Sequence, residues 1–249
     1  MGYLSGRYAV ITGAGKGIGR AIAERFLADD AAGVAILDMD EPLAKATALE
    51  LDPTGNRVLG VRCDVSSFDA VQAAFAEVTA KFGRVDVLVN NAGITRDAMF
   101  HKMTPQQFQL VMNVHMMGTF NCCQTVIPAM REQAHGRIIN ISSVSCYGNV
   151  GQTNYSAAKG AMEAFTRSLA LESIRKNITV NCIGPGMIDT DMFRAIPDDI
   201  RNAKIKEHPA QRTANASEVA ALAAFLASDD ASWVTGNIIM CSGGQKLRT

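Results

Sequence analysis

Residues Tyr8–Ala28, YAVITGAGKGIGRAIAERFLA, determine the class of the fold. Residues 8–12 are mostly apolar and rich in β-formers, a pattern typical of a short buried strand, and residues 20–28 have the apolar spacing of a helix. Between them, 13–19 carry glycines in the pattern Gly-x-x-x-Gly-x-Gly, which differs from the strict G-x-G-x-x-G fingerprint. Glycines let a backbone approach a phosphate, and a helix N-terminus supplies N–H groups and a positive dipole end. The stretch therefore predicts a strand, a pyrophosphate-binding loop and a helix.

Strand-like and helical patterns alternate along the rest of the chain. Further strands are predicted at 34–37, 57–62, 85–89, 137–141, 178–182 and 238–240. Further helices are predicted at 41–51, 66–82, 105–130 with a possible break at Pro128, 155–173 and 216–228. Such alternation predicts a parallel sheet with helices on both faces. We expect residues 1–249 to form one α/β domain, a Rossmann-like doubly wound sheet, in which 187–211 is a mobile segment of short helices closing over an apolar substrate.

Composition excludes several classes of protein. The 249 residues carry 24 basic and 24 acidic side chains, so no nucleic-acid or anionic-membrane partner is expected. No apolar run reaches the ~18 residues of a membrane-spanning helix. The first residues, MGYLSGRYAVITG, lack the order of a secretory signal, and a cytoplasmic location is expected. The six cysteines are scattered without a C-x-x-C pair, which predicts reduced thiols and no metal site.

Three side chains predict acid–base chemistry on a C–O group. Tyr155 and Lys159 are four residues apart on a predicted helix, so they share a face, and Ser142 follows a predicted strand 13 residues before the tyrosine. A nearby cation favours the phenolate, and lowering a tyrosine pKa by about three units requires roughly 4 kcal/mol. Such a tyrosine exchanges a proton with an alcohol or ketone oxygen that the serine holds, next to a hydride carrier.

An acidic residue after the second strand predicts the cofactor. Asp38 lies about twenty residues beyond the glycine loop, where a carboxylate binds the hydroxyl groups of an adenosine ribose. It repels a 2′-phosphate, and Asp40 and Glu41 add to the negative field, while Lys16 acts in the opposite direction. We therefore expect NAD(H), with NADP(H) as the alternative.

Other residues are candidates to line the same crevice. Asp64 follows the third strand and is placed to bond an adenine amine. The small residues after the fourth strand are placed to lie along a cofactor. Asn113 lies among apolar residues in a helix, where it either bonds a helix carbonyl or orders a water behind Lys159 for proton relay. Pro185 and Gly186 form a turn where a strand meets the ligand crevice.

These motifs together resemble the short-chain dehydrogenase/reductase family over nearly the whole chain. The resemblance implies a seven-stranded sheet, catalysis by Asn113, Ser142, Tyr155 and Lys159, and a homotetramer that packs the helix bearing Tyr155 across an interface. Lys159 would also hold the nicotinamide ribose. The cofactor-binding positions predicted from the residues or from the resemblance are Gly13, Gly15, Lys16, Gly17, Ile18, Gly19, Asp38, Asp64, Val65, Asn91, Ala92, Gly93, Tyr155, Lys159, Pro185, Gly186, Ile188 and Thr190.

Within the family, the segments 91–97 and 148–159 are most similar to 3-oxoacyl-(acyl carrier protein) reductases and acetoacetyl-CoA reductases. Those reductases usually have basic residues in place of Asp38, in keeping with NADPH. The carrier-protein reductases also have a basic docking residue where Gln133 falls, although Arg131 is adjacent and 175–176 match the second docking position. We expect an NAD(H)-dependent reductase of 3-oxoacyl thioesters. An NAD-dependent hydroxysteroid or other secondary-alcohol dehydrogenase, and a non-catalytic NAD sensor, remain alternatives.

Overall fold

A computed structural model describes residues 2–245 of the chain, and within that range the strands form a single sheet. The strands are β1 (Tyr8–Thr12), β2 (Gly33–Asp38), β3 (Val58–Arg62), β4 (Val87–Asn90), β5 (Gly136–Ile141), β6 (Ile178–Pro185) and β7 (Ile238–Cys241). The α-helices are α1 (Gly17–Ala28), α2 (Glu41–Leu51), α3 (Phe68–Phe82), α4 (Pro105–Met112), α5 (Gly118–Glu132), α6 (Thr153–Ser173), α7 (Asp191–Arg194), α8 (Asp198–Glu207) and α9 (Ala216–Ala227).

The sheet has seven strands in the order β3-β2-β1-β4-β5-β6-β7, and every neighbouring pair is parallel. The predicted α/β class and doubly wound parallel sheet are confirmed. The chain reverses its direction of winding between β1 and β4, and ligands bind outside the carboxyl ends of the strands at such a switch point. The topology therefore brings the glycine loop, the ends of β4 and β5, and the start of α6 to one crevice.

The core has two layers because side chains alternate along each strand. Ile11 of β1 packs with α1 and α9 on one face of the sheet. Val10, its neighbour, packs with α3 and α5 on the other face. Both faces of the sheet are thus buried, as the near-continuous apolar strands predict.

The long helix predicted from residue 105 is interrupted at a different place from the one expected. A π-helical segment, Asn113–Met117, separates α4 from α5, whereas α5 continues through Pro128 without a break. Val126 and Met130, on either side of the proline, are buried, so packing holds the helix together there. π-Helical turns occur frequently at functional sites, and this one lies beside the crevice.

The segment predicted at 187–211 does contain short helices, α7 and α8. Among residues 2–245, none of the helices combines the length and the apolar character needed to cross a membrane.

Candidate active site

A cavity of about 950 Å³ lies at the carboxyl ends of the strands. It extends from Asp38 at the end of β2, past the glycine loop, to Tyr155 on α6, and Phe193 and Ile196 of the segment after β6 border it. Most of the predicted positions line it: Gly13, Lys16, Gly17, Ile18, Asp38, Asp64, Val65, Asn91, Ala92, Gly93, Ser142, Tyr155, Lys159, Pro185, Gly186, Ile188 and Thr190.

The glycine loop is held tightly against the segment that follows β4. Gly13 has a φ of +61°, and a Cβ there would lie 2.7 Å from the Cα of Ala92. A Cβ on Gly19 would lie 2.6 Å from the side-chain nitrogen of Asn91. That nitrogen donates to the carbonyls of Thr12 and Gly13, each at 2.9 Å. Gly13 and Gly19 thus allow the glycine loop to pack against the segment after β4. Lys16 is the N-cap residue of α1, and its side chain makes no capping hydrogen bond, so it does not compete with a phosphate for the N–H groups of the first turn.

Asp38 is fixed by backbone donors at the end of the cavity next to β2. One carboxylate oxygen accepts from the Gly15 N–H at 3.1 Å and the other from the Asp40 N–H at 3.1 Å. A Cβ on Gly15 would meet Leu43 at 2.7 Å and this carboxylate at 3.0 Å, so a larger residue at 15 would displace Leu43 or Asp38. Each carboxylate oxygen keeps further acceptor capacity for the hydroxyl groups of a ribose.

Asp64 and the end of β6 line the cavity from two other strands. Asp64 accepts from the backbone N–H and the hydroxyl of Ser66, at 3.0 and 2.7 Å, which fixes the turn after β3. β6 continues to Pro185, three residues beyond the predicted end, and the Gly186 N–H donates to the Cys241 carbonyl of β7 at 3.0 Å. Thr190, the N-cap of α7, borders the cavity beyond this turn.

Tyr155 lies between a cation and a hydroxyl, but its protonation state differs from the sequence-based expectation. Burial raises the pKa of Tyr155 to about 12, a side-chain hydrogen bond with Ser143 acts to lower it, and the charge of Asp97 adds to the increase. Burial thus outweighs the hydrogen bond with Ser143, and the pKa is raised where the sequence predicted that a nearby cation would lower it. At neutral pH the phenol therefore keeps its proton.

Lys159 is buried one helical turn after Tyr155. Its Nζ donates to the Ile141 carbonyl at 2.5 Å and lies 5.5 Å from the centroid of the Tyr155 ring. Burial lowers the pKa of Lys159 to about 8, so the group is mostly an ammonium ion at neutral pH. It supplies positive charge at the end of β5, beneath the tyrosine.

The two serines after β5 point in opposite directions. The hydroxyl of Ser142 is buried and bonds the Glu163 carboxylate at 3.0 Å and the Lys159 carbonyl at 3.3 Å. Two residues earlier, on the same face, Asn140 also bonds a side chain of α6. Ser143 points the other way, and its hydroxyl bonds Tyr155. The prediction of Ser142 as the hydroxyl that holds the substrate oxygen therefore disagrees with the geometry, which favours Ser143.

Asn113 is the predicted catalytic residue with the weakest connection to the cavity. It is the first residue of the π-helical segment, and it is half-buried rather than enclosed among apolar neighbours. Its side-chain oxygen accepts from Gln109 at 2.7 Å. This contact differs from the bond to a helix carbonyl that one interpretation of the sequence expected, because the partner is a side chain.

Comparisons with known proteins agree with this geometry. A family model described as "Enoyl-(Acyl carrier protein) reductase" matches residues 13–246. An acetoacetyl-CoA reductase of Shinella zoogloeoides is 45% identical over 96% of this chain and 98% of its own. The chain belongs to the short-chain dehydrogenase/reductase family. A 3-oxoacyl-(acyl carrier protein) reductase of Chlamydia muridarum is 40% identical over 97% of this chain and 98% of its own.

A solved structure shares the whole fold. The crystal structure of levodione reductase matches with a TM-score of 0.91 and 34% identity, covering 97% of this chain and 98% of that one. As a short-chain dehydrogenase/reductase, the chain is an oxidoreductase that acts on a secondary alcohol or ketone, and the family uses nicotinamide cofactors. The glycine cradle, the Asp38 carboxylate and the long cavity fit such a dinucleotide, which supplies or accepts the hydride when bound.

Ser143 has no role in the sequence-based predictions because Ser142 and Ser143 are adjacent and equivalent in chemistry. One signal was present in the strand period. Asn140 and Ser142 lie on the same face of β5, and a buried amide at 140 requires a partner in the packed layer. Because Asn140 bonds Thr166 of α6, Ser142 is directed into that interior as well.

Proposed function

We propose that the protein catalyses NADH-dependent reduction of a 3-oxoacyl-CoA thioester to the 3-hydroxyacyl thioester, and the reverse oxidation. The observation that carries the proposal is the placement of a protonated Tyr155 against Ser143 and Lys159 in a cavity that reaches Asp38. Ser143 holds the ketone oxygen, Tyr155 delivers a proton to it, and Lys159 stabilises the developing negative charge. The bound nicotinamide supplies the hydride.

The choice of NADH rests on the surroundings of the adenosine end. Asp38 is fixed by two backbone N–H groups where a 2′-phosphate would have to lie. Lys16, which we expected to favour that phosphate, has its Nζ 3.5 Å from Asp191 of α7. That ion pair is exposed and weak, but it partly offsets the positive charge of Lys16. We therefore take the negative charge of Asp38 as the dominant one beside the ribose.

Replacing Asp38 should change the preference between cofactors. In Asp38→Asn the charge-assisted bonds to the ribose are lost, so we expect the KM for NADH to rise about 10-fold or more and the KM for NADPH to fall. Initial rates with both nucleotides measure the ratio. The matched control is Asp40→Asn, which removes the same charge from a residue whose side chain caps α2 at Leu43, 3.0 Å away. An equal change in both variants would mean that net charge alone sets the preference.

A thioester of CoA is favoured over one of acyl carrier protein. The Gln133 side chain, at the position expected to dock the carrier protein, donates inward to the Val85 and His135 carbonyls at 3.0 and 2.7 Å and so is not directed toward a docking partner.

Near Tyr155 the cavity is lined by Asp97, Asn149 and Gln152, and the Gln152 amide donates to Asp97 at 2.8 Å. One of its two N–H donors is thereby used, which leaves the other for a thioester carbonyl.

The second candidate is NAD-dependent oxidation of a secondary alcohol outside the thioester class, including a hydroxysteroid. The similarity to levodione reductase and the acidic Asp38 favour it. A panel of acetoacetyl-CoA, hydroxysteroids and simple secondary alcohols distinguishes the two. Turnover of acetoacetyl-CoA at least about tenfold above every other substrate supports the thioester, and turnover confined to alcohols or steroids supports the alternative.

The pH dependence should differ between the two directions of the reaction. Reduction needs the protonated phenol, which a pKa of about 12 maintains, so its rate should be nearly flat from about pH 6 to about pH 7.5. Oxidation needs the phenolate, whose fraction rises about tenfold per pH unit below the pKa, so its rate should rise with pH. An oxidation rate that levels off within this range would show that a nearby cation lowers the Tyr155 pKa, as the sequence predicted.

We also propose a homotetramer in the cytoplasm. Apolar side chains are exposed along α4, the π-helical segment, α5 and the end of α6: Phe108, Leu110, Met117, Phe120 and Leu171. An exposed apolar surface of this kind marks a protein interface. The six cysteines are free thiols, which is consistent with a reducing compartment. Sedimentation at micromolar concentration tests the assembly, and a monomer would contradict the proposed tetramer. Localisation of the tagged protein tests the compartment, and export would contradict the proposed cytoplasmic location.

A further inference from the structure

A buried histidine connects the cofactor segment to the catalytic tyrosine. His115 lies in the π-helical segment, is 1% exposed and borders the cavity. Its ring meets the Tyr155 ring edge-on, with centroids 5.1 Å apart and planes at 90°. The same ring contacts Gly93 and Ile94, which continue the segment after β4. One side chain therefore touches both the residue that moves the proton and the backbone that borders the cofactor.

The bond to Ile94 orients the imidazole. Nε2 lies 2.8 Å from the Ile94 carbonyl oxygen and 3.1 Å from the Ile94 nitrogen, so either tautomer of the ring makes one hydrogen bond to this residue. Nδ1 has no hydrogen-bond partner within residues 2–245. Burial, followed by the charge of Lys159, lowers the pKa of His115 to about 3, and the ring is neutral at any working pH. It is thus not an acid or base in the reaction.

Gly93 shows how closely the two segments fit. A Cβ at this position would lie 2.3 Å from Cε1 of His115 and 3.1 Å from Nδ1. Because Ile94 and Tyr155 also contact the ring, a side chain at 93 would fit only if the imidazole moved away from these partners. The backbone of Gly93 does not have the positive φ that favours glycine. The reason for a glycine at this position is therefore the space that the His115 ring occupies.

We propose that His115 is a positioning residue that holds the cavity-lining segment Gly93–Ile94 at a fixed distance from Tyr155, and that a bound nicotinamide cofactor would rely on this arrangement. The inference rests on the proposed function. The contacts that connect Gly93–Ile94 to Tyr155 are made by His115 and do not include Asn113. It requires that Gly93 and His115 act as a unit rather than independently.

A double-mutant cycle tests the unit directly through NADH affinity, measured by fluorescence titration without substrate. Gly93→Ala should weaken affinity about tenfold, because the added methyl group displaces the ring. His115→Ala should weaken it several-fold. The combined variant should bind NADH at least about fivefold more tightly than Gly93→Ala alone, because the methyl group then has room. Fold-changes that simply multiply in the combined variant would overturn the proposal.

A second pair of variants separates positioning from general stability. His115→Gln places an amide within reach of Ile94, whereas His115→Leu keeps the volume and loses the bond. We expect the NADH KM of the Gln variant to stay within about threefold of wild type and that of the Leu variant to rise about fivefold or more. Equal KM values would overturn the proposal. If wild type itself binds neither NADH nor NADPH, the proposed function fails instead, and the two failures are distinguishable.

Discussion

Tyr155→Phe is expected to lower kcat for reduction of acetoacetyl-CoA by about 1,000-fold, because a positioned proton donor contributes on the order of 10²–10⁴ to the rate. The substitution removes one oxygen and keeps the ring, so the edge-on contact with His115 remains. Affinity for NADH should stay within about threefold of wild type, since the phenol oxygen contributes to proton transfer more than to ground-state binding. Initial rates and a fluorescence titration measure the two quantities on the same preparation.

The matched control is Tyr147→Phe, which removes the same hydroxyl from a tyrosine that is 61% exposed and lies eight residues earlier. Its kcat should equal that of wild type. Near-normal turnover of Tyr155→Phe would show that another group delivers the proton. A matching loss of NADH affinity would show instead that the phenol mainly binds cofactor.

Ser143→Ala is expected to lower kcat by about 100-fold, whereas Ser142→Ala should leave kcat within about threefold of wild type. The first variant removes the hydroxyl that bonds Tyr155 and that we propose as the group holding the substrate oxygen. The second removes one of the hydrogen-bond partners of the buried Glu163 carboxylate, 3.0 Å away, which also bonds the Cys146 thiol. An unsatisfied buried acceptor costs about 1–3 kcal/mol, so Ser142→Ala should lose stability while retaining activity.

The comparison between the two serines decides the assignment because the substitutions are chemically identical and adjacent. Steady-state kinetics gives the ratio of kcat values, and urea unfolding gives the ratio of stabilities. A Ser142→Ala variant that is less active than Ser143→Ala would restore the sequence-based assignment. It would require the strand end to turn in the bound enzyme.

Much of the site was predictable because local spacing determines it. The strand, glycine loop and helix at 8–28 need only neighbouring residues to form, and Tyr155 and Lys159 share a face through one helical turn. Asp38 was predictable for a similar reason, because the carboxyl ends of all strands in a parallel sheet lie at the edge where ligands bind. Residues whose positions depend on backbone topology were therefore predicted at the correct edge of the sheet, the one formed by the carboxyl ends of the strands.

The remaining features depend on packing between distant segments. Which of two adjacent serines faces the cavity depends on Glu163 of α6, and the raised pKa of Tyr155 depends on how completely it is buried. The continuity of α5 through Pro128 likewise depends on the packing of buried side chains on that helix. His115 attracted no role in the sequence because its partners, Gly93 and Tyr155, are brought to it only by the fold.

The most direct test of the central claim is the initial rate of acetoacetyl-CoA reduction with NADH and with NADPH, followed by the absorbance of the reduced nicotinamide. We predict a kcat/KM with NADH at least about tenfold above that with NADPH, as expected for a carboxylate fixed beside the adenosine ribose. A preference for NADPH, or the absence of thioester reduction with either nucleotide while alcohols are oxidised, would contradict the account.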